Sequence, residues 1–269
     1  MAQELLKESI TLVVAVEKRG DVLSDNLLSS PLLEQFADCQ ILIQENFASA
    51  ALAYNDAIDR SANDLIIFAH QDVIFPASWL VDLEAALDHL QVVDPAWGVL
   101  GCYGETRDCR GQGYIYAPGR GILGRRFAFP APVQTLDEIV LILRKSSGLR
   151  FDRTLPHFHL YGTDICLRAA EMGMISYAIS AFCVHNANQY CLLPKQFYDA
   201  CRHIRGTWKN RLPIQTTCIR LTRFGLPLYS RRVREAYVRC VPSKAAVRSR
   251  ATNVRQLLVQ AHAASASDE

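Results

Sequence analysis

The sequence predicts an α/β fold, a sheet flanked by helices. Short runs of aliphatic and β-branched residues recur, stretches with helical apolar spacing lie between them, and turn-forming residues separate the two. Residues 10–16, ITLVVAV, are continuous and β-branched, as in a strand buried on both faces. Residues 21–36 read as partly helical, interrupted by Pro31, and residues 41–44 as a second strand. Residues 48–60 hold good helix formers and stop at Ser61-Ala62-Asn63. A third strand, residues 65–69, runs out into His70-Gln71-Asp72. Leu80, Leu83, Leu87 and Leu90 then repeat at helical spacing over residues 78–90, and residues 97–103 form a fourth strand. This rhythm argues for parallel pairing covered on both faces.

The glycine- and arginine-rich residues 104–130 read as surface strands or a loop, too polar for core. Order resumes over residues 133–145. A helix opens at Tyr161-Gly162-Thr163-Asp164 and stops at Gly173, and residues 175–184 form a strand closed by His185-Asn186. Residues 193–208 predict another helix. Between residues 220 and 255 ten arginines and lysines face one acid, Glu235, and residues 256–269 read as frayed. The expected division is a main domain over residues 1–217 and a basic, helical C-terminal extension over 218–269.

With 269 residues, half of them hydrophobic, the chain can bury one large core. A net charge of +2 gives no reason to expect nucleic acid as a partner. The nine cysteines are odd in number, lack a Cys-x-x-Cys pair, and several sit in apolar runs. They read as buried thiols in a reducing compartment. Residues 1–8 lack the basic start and apolar stretch of a secretory signal, and no run is long enough to span a membrane, so a cytoplasmic location is expected.

Chemistry concentrates at strand and helix ends. In open α/β sheets ligands bind at the carboxyl ends of strands, so His70 and Asp72 stand on the usual rim. Imidazole nitrogen with carboxylate oxygen suits a divalent metal on a diphosphate; equally, Asp72 caps a turn. Asp164, in a first helical turn, is available as a general base or is simply a helix-start acid. His185, at another strand end, is a ligand or a satisfied rim residue; His157 and His159 contact substrate or pack a turn. A nucleophile elbow, a P-loop and a dinucleotide-binding glycine fingerprint are all missing, which makes kinases, P-loop ATPases and simple dehydrogenases poor fits.

Four segments, taken in order, resemble a family 2-type glycosyltransferase of the GT-A fold: AALAYNDAI (50–58), residues 64–72, LRFD (149–152) through YGTDICLRA (161–169), and FCVH (182–185). HQDV (70–73), TLDE (135–138) and FHLY (158–161) resemble more narrowly the subgroup associated with streptomycin biosynthesis. The resemblance spans residues 10–215 and implies a mixed GT-A, Rossmann-like sheet. It implies inverting transfer from a nucleoside-diphosphate sugar to a carbohydrate, lipid-linked or small-molecule acceptor.

By the same resemblance Asp164 is the catalytic base, and Asp72, His185 and His70 hold manganese or magnesium. Val16, Glu17, Gln44, Glu45, Asn55, His70 and Gln71 face the donor, and Asp137, His159 and Tyr161 the acceptor. His70 replaces the first Asp of the family's metal motif, and Thr163 replaces a common Glu, leaving Asp164 alone. A sugar nucleotidyltransferase and a non-catalytic nucleotide- or carbohydrate-binding scaffold are the alternatives. The basic extension is a solvated surface or a peripheral contact with anionic membrane.

Overall fold

A computed structural model describes residues 10–35, 39–187, 192–240, 250–251 and 253–266. The readings on residues 1–8, Asn188, Cys191, Lys244 and Arg248 lie outside the described residues.

In chain order the first half comprises β1 (Ile10–Val16), β2 (Gln40–Glu45), α1 (Ala50–Arg60), β3 (Leu65–Ala69), β4 (Val73–Ile74), α2 (Trp79–Val93), β5 (Leu100–Gly101) and β6 (Tyr103–Glu105). The strands β7 (Gly111–Ala117), β8 (Gly121–Gly124), β9 (Ala131–Val133), β10 (Thr135–Leu136) and β11 (Val140–Arg144) lead to α3 (Tyr161–Glu171). After β12 (Ser176–Ala178) and β13 (Cys183–His185) come α4 (Lys195–Thr207), β14 (Ile214–Gln215), β15 (Arg220–Leu221), α5 (Leu226–Cys240) and α6 (Val254–Ala266).

The main sheet has seven strands in the order β2-β1-β3-β11-β5-β12-β9. β1 pairs parallel to β2 and β3, but β11 runs antiparallel to both β3 and β5. The wholly parallel pairing expected from the strand–helix rhythm is therefore corrected to a mixed sheet, as the resemblance implied. β11 follows the β10 strand and a tight turn, not a crossover helix, so it enters reversed.

Alternation splits each central strand between two cores. Val13, Ile66, Phe68, Leu141 and Leu143 face α1, α3 and α4, while Leu12, Val14, Leu65, Ile67, Val140 and Ile142 face α2. Side chains of period two on a doubly covered sheet require this continuous apolar pattern.

A second sheet of six strands, in the order β10-β6-β7-β13-β4 with β8 on β7, stands beside the first. Residues 97–103 split at Cys102 into β5 and β6, and residues 175–184 split into β12 and β13, each pair serving both sheets. Residues 104–130 are not merely surface. Tyr114, Ile115 and Ala117 of β7 are buried, and Gly113 lies so close to the backbone of Cys102 and Tyr103 that a Cβ would clash. Glycine there lets strands approach, which composition alone made look polar.

Residues 21–35 hold a π-helical turn, Leu23–Leu27, and a 3₁₀ turn, Leu33–Gln35. The end of the chain is not frayed through 266: α6 buries Leu257 and Ala261 against Ile74, Tyr114, Phe182 and Val184. β15 pairs with β14 across residue 217. Among the described cysteines all are free; Cys102, Cys166, Cys183 and Cys201 are buried, whereas Cys109, Cys218 and Cys240 are exposed.

Asn55 braces α1. Its amide donates to the Phe151 carbonyl at 2.9 Å and its oxygen accepts from the Phe151 N–H at 3.0 Å, both buried. Asn55→Ala orphans both backbone groups and should lower stability by about 3 kcal/mol in urea unfolding. A loss below about 0.5 kcal/mol would remove the bracing role.

Candidate active site

The turn from β3 to β4 carries His70 and Asp72, and β13, antiparallel to β4, ends opposite it at His185. One ring nitrogen each of His70 and His185 and a carboxylate oxygen of Asp72 all lie within 4.8 Å of one another. His185 Nε2 is 3.4 Å from Asp72 Oδ1, and His70 Nδ1 is 4.0 Å from it. The Asp72 carbonyl accepts from the Asn186 N–H at 2.8 Å, which locks the two strand ends.

Burial pushes the Asp72 carboxyl upward. The hydrogen bond and charge of His185, the charge of His70 and the Arg250 hydrogen bond outweigh it, so Asp72 titrates well below the usual range. Burial, first of all, lowers His70, which favours its neutral ring. His70 Nε2 lies 2.9 Å from the Tyr161 hydroxyl, which itself donates to the Glu138 carbonyl at 3.4 Å. A Tyr161 hydroxyl committed to Glu138 accepts from a proton on Nε2, the tautomer that leaves the Nδ1 lone pair facing Asp72. One carboxylate and two imidazoles converge here, a donor set that fits a divalent cation taking the place of the proton His185 shares with Asp72.

An aromatic cluster fixes this end of the sheet. The Tyr54 ring lies 4.7 Å from Phe68 and 5.3 Å from Tyr161, and Phe151 touches both Phe68 and Tyr54. Such ring pairs contribute roughly 0.5–1.5 kcal/mol each beyond area burial, so Tyr161 cannot leave His70 without disturbing the core.

Two cavities flank the trio. The larger, about 650 Å³, is lined by Val16, Glu17, Asn46, Tyr54, His70, Gln71, Asp72, Phe158 and Tyr161. Asn46, His157 and Leu160 have φ of 62°, 65° and 62°, a left-handed backbone that non-glycine residues rarely take. They shape the loops at this rim. The second cavity, about 420 Å³, is lined by His70, Tyr103, Arg120, Asp137, Glu138, His159, His185 and Phe197 among others. His70 belongs to both.

The TLDE segment enters this second cavity because α3 begins against it. A Cβ on Gly162 would stand 2.7 Å from the Leu136 carbonyl oxygen, so only glycine allows the approach. Asp137 Oδ1 accepts from the Ile139 N–H at 3.2 Å. Glu138 is pushed up to about 8 by burial and then by Asp137, against the pull of the Leu160 and Gly162 N–H groups. Burial, with the charges of His70 and His157, lowers His159 to about 4.

Several expected site residues lie elsewhere. Asp164 is fully buried and lines neither cavity. Its Oδ2 accepts from Arg168 Nε at 2.7 Å and its Oδ1 from Trp208 Nε1 at 2.8 Å. This carboxylate ties α3 to the end of α4. Gln44 is buried and bonds the Ala53 carbonyl and Asp56, and Glu45 pairs with Arg19, so neither faces the cavities. Tyr161 lines the larger cavity, not the one holding Asp137 and His159. Asn46, Phe158 and Arg250 escaped the sequence reading. Arg250 Nη2 sits 2.8 Å from Asp72 Oδ2, from a position 178 residues away.

No family model matches the chain. Among curated proteins it is similar to ATP synthase subunits region ORF 6 of Fuscovulum blasticum, 30% identical over 131 residues, or 47% of this chain. The chain spans about half of that relative, 53% of its length. Similar solved structures include the mannosyltransferase PcManGT from Pyrobaculum calidifontis in complex with GDP-Man and Mn2+, with 12% identity and a TM-score of 0.45 over 76% of this chain and 64% of that one. S. aureus TarS 1-349 in complex with UDP-GlcNAc aligns with 14% identity and a TM-score of 0.47 over 75% and 67%. The inositol-1-phosphate CTP transferase from T. maritima aligns with 14% identity and a TM-score of 0.37 over 66% and 88%. Likenesses this distant assign no chemistry.

Glu138 gives a pH test. Its folded value of about 8 lies above the ordinary 4.5, so between these values the native state holds a proton that the unfolded chain has released. Stability attributable to this group therefore falls as pH rises through that window. Glu138→Gln should flatten the decline of melting temperature across it; an unchanged slope would mean that Glu138 is ionised in the fold.

Proposed function

We propose that the chain transfers a sugar, with inversion, from a nucleoside-diphosphate donor to an acceptor hydroxyl, assisted by manganese or magnesium. The observation that carries this reading is the His70–Asp72–His185 trio seated where two cavities meet. The order of the segments resembling family 2-type glycosyltransferases supports it.

In this reading the donor lies in the larger cavity, against Val16, Glu17, Asn46 and Gln71, with Phe158 and Tyr161 as aromatic walls. The acceptor, a carbohydrate, a lipid-linked sugar or a small molecule, enters the second cavity. Asp72, His185 and His70 would hold the metal, which supplies charge neutralisation to a departing diphosphate. Asp137 takes the base role. Its carboxylate removes the hydroxyl proton as the acceptor oxygen bonds to the anomeric carbon. The bond from that carbon to the diphosphate oxygen breaks, and the nucleoside diphosphate leaves with the electron pair. Glu138, held neutral at its side, keeps the excess negative charge there to one.

The basic extension offers a second surface. Leu226, Tyr229, Val233 and Tyr237 are exposed along α5 at helical spacing, next to exposed Phe224, and Arg223, Arg232, Arg234 and Arg239 flank them. Apolar anchors beside arginines suit the headgroup region of an anionic membrane. None of the described helices is long and apolar enough to cross one.

Incubation with a panel of nucleotide sugars and manganese should release nucleoside diphosphate. Release of pyrophosphate would instead indicate nucleotidyl transfer, and no turnover a binding scaffold. Asp72→Asn should weaken nucleotide binding. Asp137→Asn should lower kcat about 100-fold or more while leaving nucleotide affinity intact. Retained turnover in the second variant would remove Asp137 as base. Co-sedimentation with phosphatidylserine vesicles should be lost in Tyr229→Ser/Val233→Ser; equal pelleting would end the membrane reading.

A further inference from the structure

The Asp72 carboxylate is divided. Oδ1 faces the two imidazoles, while Oδ2 receives Arg250 Nη2 at 2.8 Å. The arginine is held from behind. Its Nε donates to the Asn186 carbonyl at 2.9 Å. Asn186, fully buried and next to His185, clips the following residue both ways: its amide donates to the Ala251 carbonyl at 2.9 Å, and its oxygen accepts from the Ala251 N–H at 2.9 Å. The same amide also donates to Asn26 Oδ1 at 2.8 Å.

Beyond this clip α6 anchors the arm. Leu257 and Ala261 pack on Ile74, Val184, Tyr114 and Phe182, from the strands that carry or adjoin the trio, and Ser265 bonds the Tyr114 hydroxyl. A surface arginine on a flexible tail would have neither the clip nor the apolar anchor.

We infer that Arg250 is a built-in counter-charge that couples metal and diphosphate binding, so that the site takes the cation together with a diphosphate and resists the cation alone. This rests on the proposed donor site. A guanidinium on one oxygen of Asp72 repels a divalent cation on the other and weakens the carboxylate as a ligand. A diphosphate arriving with the cation reverses the sign, because its negative charge attracts both the cation and the guanidinium. Arg250 is thus a positioning and anion-binding residue, and the basic extension here belongs to the site.

The test is titration calorimetry of the full chain with Mn2+ alone, with inorganic pyrophosphate alone, and with each in the presence of the other. In the wild type pyrophosphate should tighten Mn2+ binding. In Arg250→Gln, Mn2+ alone should bind roughly tenfold tighter and pyrophosphate roughly tenfold weaker, the mutual enhancement falling by a similar factor. Arg250→Lys should restore most of the coupling, which a purely structural role for the arm would not explain. Matching melting temperatures for the variants would separate the effect from unfolding. If the wild type binds both probes and Arg250→Gln binds them identically, the counter-charge role is wrong. If the wild type binds neither, the donor-site reading fails along with it.

Discussion

A nearly buried carboxylate, that of Asp72, organises this molecule. A charge with so little access to water needs partners on every side, and they come from its own turn and from two remote parts of the chain. His70 stands two residues away, His185 comes from the end of β13, and Arg250 from the C-terminal arm. The two sheets meet at this point because each supplies one wall of that environment. The arm docks here because the remaining oxygen would otherwise lack a cation.

The site's rigidity comes from the core beneath it. Phe68, the residue before the end of β3, sits in the aromatic cluster with Tyr54, Phe151 and Tyr161. Tyr161 then reaches from that cluster to orient His70. The reversed entry of β11 places Asp137 and Glu138 in the turn before it, beside the ends of β3 and α3. A parallel strand in that position would have carried its preceding turn to the opposite edge of the sheet. The mixed topology is therefore what gives the second cavity its acidic wall.

Much of this was legible in the sequence. Apolar runs ending in His70-Gln71-Asp72 and in His185 announced strand ends at a rim, and β-branched continuity announced a doubly covered sheet. A carboxylate in a first helical turn, as at Asp164, looks the same in the sequence whether it is free or satisfied. The partner at Arg168, one helical turn on, was visible as a spacing, but Trp208 was not. The same holds at Gln44 and Asn55, since polar residues near a rim also serve as buried braces for backbone groups. Arg250 was hidden by its company: among many arginines in a basic stretch, only the Asn186 clip singles it out, and that contact spans 65 residues of chain.

Crystals grown with Mn2+ and a nucleoside diphosphate, measured at the manganese absorption edge, test the central claim most directly. The account predicts one strong anomalous peak bound by Asp72 Oδ1, His185 Nε2 and His70 Nδ1, with the diphosphate lying in the cavity beside Val16 and Gln71. A peak away from this trio, or a nucleotide bound outside that cavity, would contradict it.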